Sequence, residues 1–100
     1  MQEELMRTYT VLSRLNASCR EQVISQEELD EQDSNFEDLR KILIELGNIL
    51  TKLESNDLKS VDETVETLLQ LHLKFSDYIW HIDQVHELVK KMAGNYRDSY

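Results

Sequence analysis

The stretch LLQLHLKFSDYIWHIDQVHELVKKMAGNY, residues 68–96, decides the fold class. Within it Leu68, Leu71, Phe75, Tyr78, Ile82, Val85, Val89, Met92 and Tyr96 recur at alternating spacings of three and four. That period holds them on one side of an α-helix, whereas a half-buried strand needs every second residue apolar. Each position of the seam is filled. The spacing therefore predicts a long helix packed against other helices, and makes it the element around which the rest of the chain assembles.

Working outward, Ser60-Val-Asp-Glu63 has the spacing of a capping box, and Gly94-Asn95 is a plausible end signal. A helix over about residues 58–95 would be about 55 Å long. Before it, Ser55-Asn-Asp57 interrupts the pattern with three residues that prefer caps and turns. A second seam runs through Phe36, Leu39, Leu43, Leu46, Leu50 and Leu53, with Ile42 and Ile49 beside it, and predicts a helix over about 35–54. Gly47 lies in its middle, where it should cost about 1 kcal/mol relative to alanine unless a neighbour approaches closely or the helix bends.

The start of that helix is ambiguous. Ser25-Gln-Glu-Glu28 and Ser34-Asn-Phe-Glu37 both fit a capping box, and Ile24 and Leu29 are placed to staple the first. Taking the later start leaves 25–34 as an acidic connector. The first segment, about 2–24, carries Leu5, Tyr9, Leu12, Cys19 and Val23 on one stripe, widened by Met6 and Leu15, with Asn16 where an apolar group is wanted. Such an asparagine either fixes the register of a helix seam or faces water. The expected fold is a single all-α domain, a three-helix antiparallel bundle of coiled-coil character with a long C-terminal helix.

Composition narrows the function. One hundred residues with no proline and two glycines leave little to interrupt helices, and little room for a deep cleft. The net charge of −9 repels a phosphate backbone, so nucleic acid is a poor partner. Residues 25–38 hold seven acids and no base, an acidic elbow that is either a solvated connector or a dock for a basic surface. Cys19 is the single cysteine, no apolar run approaches ~18 residues and the first residues lack a signal-like pattern. An intracellular protein, cytoplasmic or nuclear and without membrane insertion, is expected.

No motif carries chemistry. His72, His81 and His86 share the long helix with Asp77, Asp83 and Glu87, but Asp77/His81 and Asp83/His86 are pairs without a third ligand, and no metal site is expected. Cys19 and the serines lack a nucleophile's partners, and Gly47-Asn48 is not a phosphate loop. Neither an enzyme nor a cofactor is expected.

Helix lengths suggest what remains. A second helix starting at Ser34 covers only the first two-thirds of the third, leaving Ile82, Val85, Val89, Met92 and Tyr96 beyond its reach. Leu69, Leu73 and Trp80 lie off the main seam, on the side that faces water in a simple bundle. These eight residues form the expected partner interface, because tryptophan and large aliphatics dominate interface energy. The expectation is a non-catalytic interaction subunit or adaptor that binds other helical subunits, or a second copy of itself, through its C-terminal helix. A self-contained monomeric bundle and a histidine-based metal or pH sensor are the alternatives.

Overall fold

The computed structural model describes residues 2–18, 23–55 and 60–99. They form α1 (Gln2–Ser18), α2 (Gln26–Glu54) and α3 (Val61–Ser99), with no strand among the described residues. The expected burial of Cys19, the break at Asn56 and Asp57 and the helix start at residue 58 lie outside them. Antiparallel packing of α2 on α3 is fixed by cross-helix contacts: Glu28 with Lys91, Asn35 with His81, Glu45 with Lys74. α1 runs antiparallel to α2, with Tyr9 Oη donating to the Leu29 carbonyl at 3.3 Å and the Tyr9 ring 5.4 Å from that of Phe36. The fold is the expected three-helix bundle, 60 Å long and 19 Å across.

The acidic connector is helix. Ser25 caps α2, its Oγ accepting from the Glu28 amide at 3.2 Å, so residues 26–34 belong to the helix and correct the later start. The reason is local: Ile24 and Leu29 close a hydrophobic staple inside one core cluster, and Glu27 and Glu28 sit where the helix dipole favours negative charge. Glu28 takes part in the cap through its backbone amide, and its carboxylate accepts from Lys91 Nζ at 2.6 and 2.7 Å. Ser34 is exposed in mid-helix and Asn35 turns inward, donating to the His81 carbonyl at 3.0 Å. His81 Nδ1 lies 2.7 Å from Asn35 Oδ1, an atom that can only accept, so Nδ1 carries the proton.

The described part of α1 is Gln2–Ser18, and the helix does not include residues 23 and 24 as expected. Val23 and Ile24 instead lie in a buried bend. Asn16 holds that bend: its Nδ2 donates to the Ile24 carbonyl and its Oδ1 accepts from the Ile24 amide, both at 2.9 Å. The side chain stands in for a backbone partner that neither helix supplies. Asn16 is thus neither turned to water nor set against a facing helix seam.

Gly47 sits in mid-helix with no neighbour exploiting it, and Gly94 does not end its helix. Open space surrounds the Cα of both Gly47 and Gly94, so no close approach exploits the missing side chain. α3 runs through Gly94 to Ser99, and Asn95, rather than ending the helix, donates to the Val23 carbonyl at 2.9 Å.

The core has two parts. Val23, Ile24, Leu29, Leu88 and Met92 form one cluster with Leu12 against it. Phe36, Leu39 and Val85 form the other, joined by Leu5, Met6, Tyr9, Tyr78 and Ile82. Both lie where α1 covers the α2–α3 hairpin. Beyond Leu5, toward the hairpin turn, α2 and α3 continue as a pair without a third helix.

Candidate partner-binding surface

The face α3 turns to α2 is rotated from the one its large side chains suggest. The positions that follow this face are Thr64, Thr67, Leu71, Lys74, Tyr78, His81, Val85, Leu88, Met92 and Asn95, again alternating three and four, with Ile82, Gln84 and Gly94 half-buried at its margins. Leu71, Tyr78, Val85 and Met92 belong to the expected seam; Leu68, Phe75, Val89 and Tyr96 are displaced into the open. Small or polar side chains take their places because α2 contributes the bulk, from Phe36, Leu39, Ile42 and Leu46. Thr67 fits by returning its hydroxyl to the Glu63 carbonyl at 2.8 Å and leaving its methyl to the contact.

The eight expected interface residues divide accordingly. Val85 and Met92, 7% and 5% exposed, are core residues, and Ile82 is half-buried against the second cluster. The expectation of an uncovered end is corrected here: the earlier start of α2 and the infolded Val23–Ile24 bend supply the missing cover. Leu69, Leu73 and Trp80 are open to solvent, the last two at 61%, and Val89 and Tyr96 are less so.

Sequence reasoning passed over Val61, Val65 and Ile79, and placed Leu68 and Phe75 in the core. All five are exposed. With His72 and Ile82 they form a second heptad-spaced stripe, 61-65-68-72-75-79-82, beside the one that packs on α2. That series was present in the sequence, but it shares Leu68, Phe75 and Ile82 with the better-filled seam. On α2, Ile44 and Leu50 are exposed at the same end. The uncovered half of the hairpin thus presents apolar groups around most of α3, interrupted mainly by the polar edge of Glu63, Gln70 and Asp77. Monomeric proteins seldom leave so continuous an apolar surface open.

Charge is distributed unevenly about this surface. The seven acids of 25–38 lie on the α1-covered half, where Glu28 meets Lys91 and Glu37 meets Arg40 at 2.6 Å. Hydrogen bonding from Arg40 holds the Glu37 carboxyl below its ordinary value, and its positive charge adds to the effect. At the uncovered end Lys74 bridges to Glu45, which raises the Lys74 ammonium above its ordinary value despite slight burial. A shallow groove elsewhere, between α1 and α2, is lined by Arg7, Arg14 and Arg40 together with Glu3 and Val11.

Asp83, His86 and Glu87 bring three ligand atoms within 4.8 Å of one another. All three are exposed and come from two turns of one helix, so a bound cation would keep most of its shell as water. His81 is committed to Asn35, with the Trp80 ring edge-on at 4.8 Å. No helix among the described residues is long and apolar enough to cross a membrane.

Searches of protein-family models, curated proteins and solved structures find no match to this chain. The class the structure defines is an all-α three-helix bundle, and its open apolar face is the feature on which function can be argued.

Proposed function

We propose that this protein is a non-catalytic subunit or adaptor that joins a larger helical assembly by packing the exposed face of α3 against partner helices. One observation supports the reading above others: α3 exposes Val61, Val65, Leu68, Leu69, Leu73, Phe75, Ile79 and Trp80 on a helix only one of whose sides is covered. Fully burying such a side chain is worth about 1.5–3 kcal/mol, so completing the burial of eight half-open ones offers roughly 8 kcal/mol. Association itself costs about 4–15 kcal/mol, so the apolar face supports a moderate affinity that well-placed anchors would raise. Trp80, with Leu73 one helical turn pair before it, is the natural anchor. Buried Val85 and Met92 take no part; Val89 and Tyr96 extend the face toward the C-terminal end.

The partner in this reading is another helical protein, not nucleic acid, and the site of action is the cytoplasm or nucleus, in keeping with the net charge of −9 and the single cysteine. The test is capture from native extract by wild-type chain and by Leu73→Glu/Trp80→Glu. Both positions are exposed, so the variant keeps its fold and melting temperature. It should lose the proteins that wild type retains. Identical captured sets would sink the assignment.

A further inference from the structure

Taking the exposed face of α3 as a docking surface, as above, we propose that its 61-65-68-72-75-79-82 stripe is occupied by a second copy of this chain, packed antiparallel about a two-fold axis at His72.

The order of residues along the stripe is close to palindromic. Antiparallel alignment about His72 sets Val65 of one copy against Ile79 of the other, Leu68 against Phe75, and His72 against its own counterpart, with Val61 reaching only the part of Ile82 that α1 leaves open. Each pair joins a smaller or β-branched side chain to one of equal or greater bulk, and each occurs twice. A two-fold interface requires this self-complementarity. Leu69, Leu73 and Trp80 lie farther round the helix, because successive residues advance by about 100°. They stay open for a different partner.

The stripe continues an interface the chain already makes. α1 lies against Phe36, Tyr78 and Ile82, and past Leu5 the same side of the hairpin runs on through Leu43, Leu50, Phe75 and Leu68 with no helix against it. Its size suits a weak dimer. Residues 61–79 span about 28 Å at 1.5 Å per residue. On a molecule 19 Å across, that is about 500 Å² of flat face per copy, and about 1,000 Å² for a pair, at the lower limit of specific interfaces.

Of the ways two copies could meet, this arrangement keeps their like charge farthest apart. The seven acids of 25–38 lie toward the far end of α2, about 20 Å along the bundle from the level of His72. An antiparallel pair sends the two acidic segments in opposite directions, about 40 Å apart, several times the ~8 Å screening length at physiological salt. At the interface end, Arg40, Lys41, Lys52 and Lys74 offset most of Glu45, Glu54, Asp62, Glu63, Glu66 and Asp77, so this half carries little of the chain's net charge of −9.

Sedimentation equilibrium of the full chain from 1 to 300 µM, at neutral pH and physiological salt, tests the proposal. The mass should rise from 11.8 kDa toward twice that value, with a dissociation constant on the order of 10 µM. Ile79→Glu, at a position exposed in the single chain, should keep its helicity and lose association at least tenfold. His72→Leu should tighten it at least tenfold. In a Cys19→Ser background, His72→Cys should form a disulfide with its own counterpart, while Ser76→Cys should not. A mass that stays at one copy to 300 µM overturns the proposal, as does a dimer indifferent to Ile79→Glu or one that fails to cross-link through position 72. A strictly single-copy chain that still loses its captured partners with Leu73→Glu/Trp80→Glu would overturn the second copy while leaving the docking function standing. A single-copy chain that keeps its captured partners with Leu73→Glu/Trp80→Glu would overturn both.

Discussion

Replacing Asn16 with alanine should cost a large part of the stability of this bundle. Asn16 and Ile24 are each 1% exposed, and the asparagine side chain satisfies both the amide and the carbonyl of Ile24 at 2.9 Å. Alanine leaves both backbone groups buried without partners. Each such group costs about 1–3 kcal/mol, so the pair costs about 2–6 kcal/mol. A domain of this size is stable by only about 5–15 kcal/mol. With an m-value of about 1–3 kcal/mol/M, the urea midpoint followed by far-ultraviolet circular dichroism should fall by at least about 0.7 M. Asn16→Asp is the informative companion. It preserves the shape and the acceptor for the Ile24 amide but removes the donor and places a charge in the core, so it should be no more stable than the alanine variant. A loss below about 0.5 kcal/mol for Asn16→Ala would refute the reasoning, since it would mean that the Ile24 groups find other partners.

Two further predictions rest on separate features. Gly47→Ala places a methyl group in open space in mid-helix, so it should stabilise by about 0.5–1 kcal/mol and raise the melting temperature by several degrees; no change, or a fall, would indicate a backbone strain that the helix does not show. Arg40→Gln should let the Glu37 carboxyl rise back toward 4.5 in a carbon-detected NMR titration. Because Glu37 is held below that value in the folded chain, the pair's contribution is present above 4.5 and is lost as pH falls through the lower folded value. A Glu37 midpoint unmoved by Arg40→Gln would remove Arg40 as the cause.

Much of the fold can be read from short-range chemistry. The Ser25 capping box and its Ile24–Leu29 staple contain all that is needed to start α2, and the absence of proline lets α2 and α3 run to 29 and 39 residues. The equally good box at Ser34 falls inside the helix that Ser25 starts, and Asn35 beside it is bonded to His81, 46 residues away. No local reading of the sequence contains that contact.

The surface was harder to read because hydrophobicity and burial part company on α3. Its helix carries more apolar side chains than one neighbour can cover, and the face that α2 takes is the one holding Thr67, Lys74, His81 and Asn95. A count of apolar residues prefers Leu68, Phe75, Val89 and Tyr96 at those turns, which is why the expected seam was rotated from the real one. Leu69, Leu73 and Trp80 stood out correctly as exposed, since they oppose the covered side under either assignment. Val85 and Met92 were misplaced through the length of α2, not through their own spacing. The two errors have the same root: which side of an apolar helix is covered depends on its neighbours.

Trp80 offers the most direct test of the docking face, because it is the chain's one tryptophan and lies open to solvent. Fluorotryptophan incorporated there gives a single fluorine resonance in the isolated chain. Addition of the captured, unlabelled partner should shift and broaden that resonance and remove its sensitivity to a soluble paramagnetic quencher. A resonance in the bound state as accessible to the quencher as in the free chain would contradict the account.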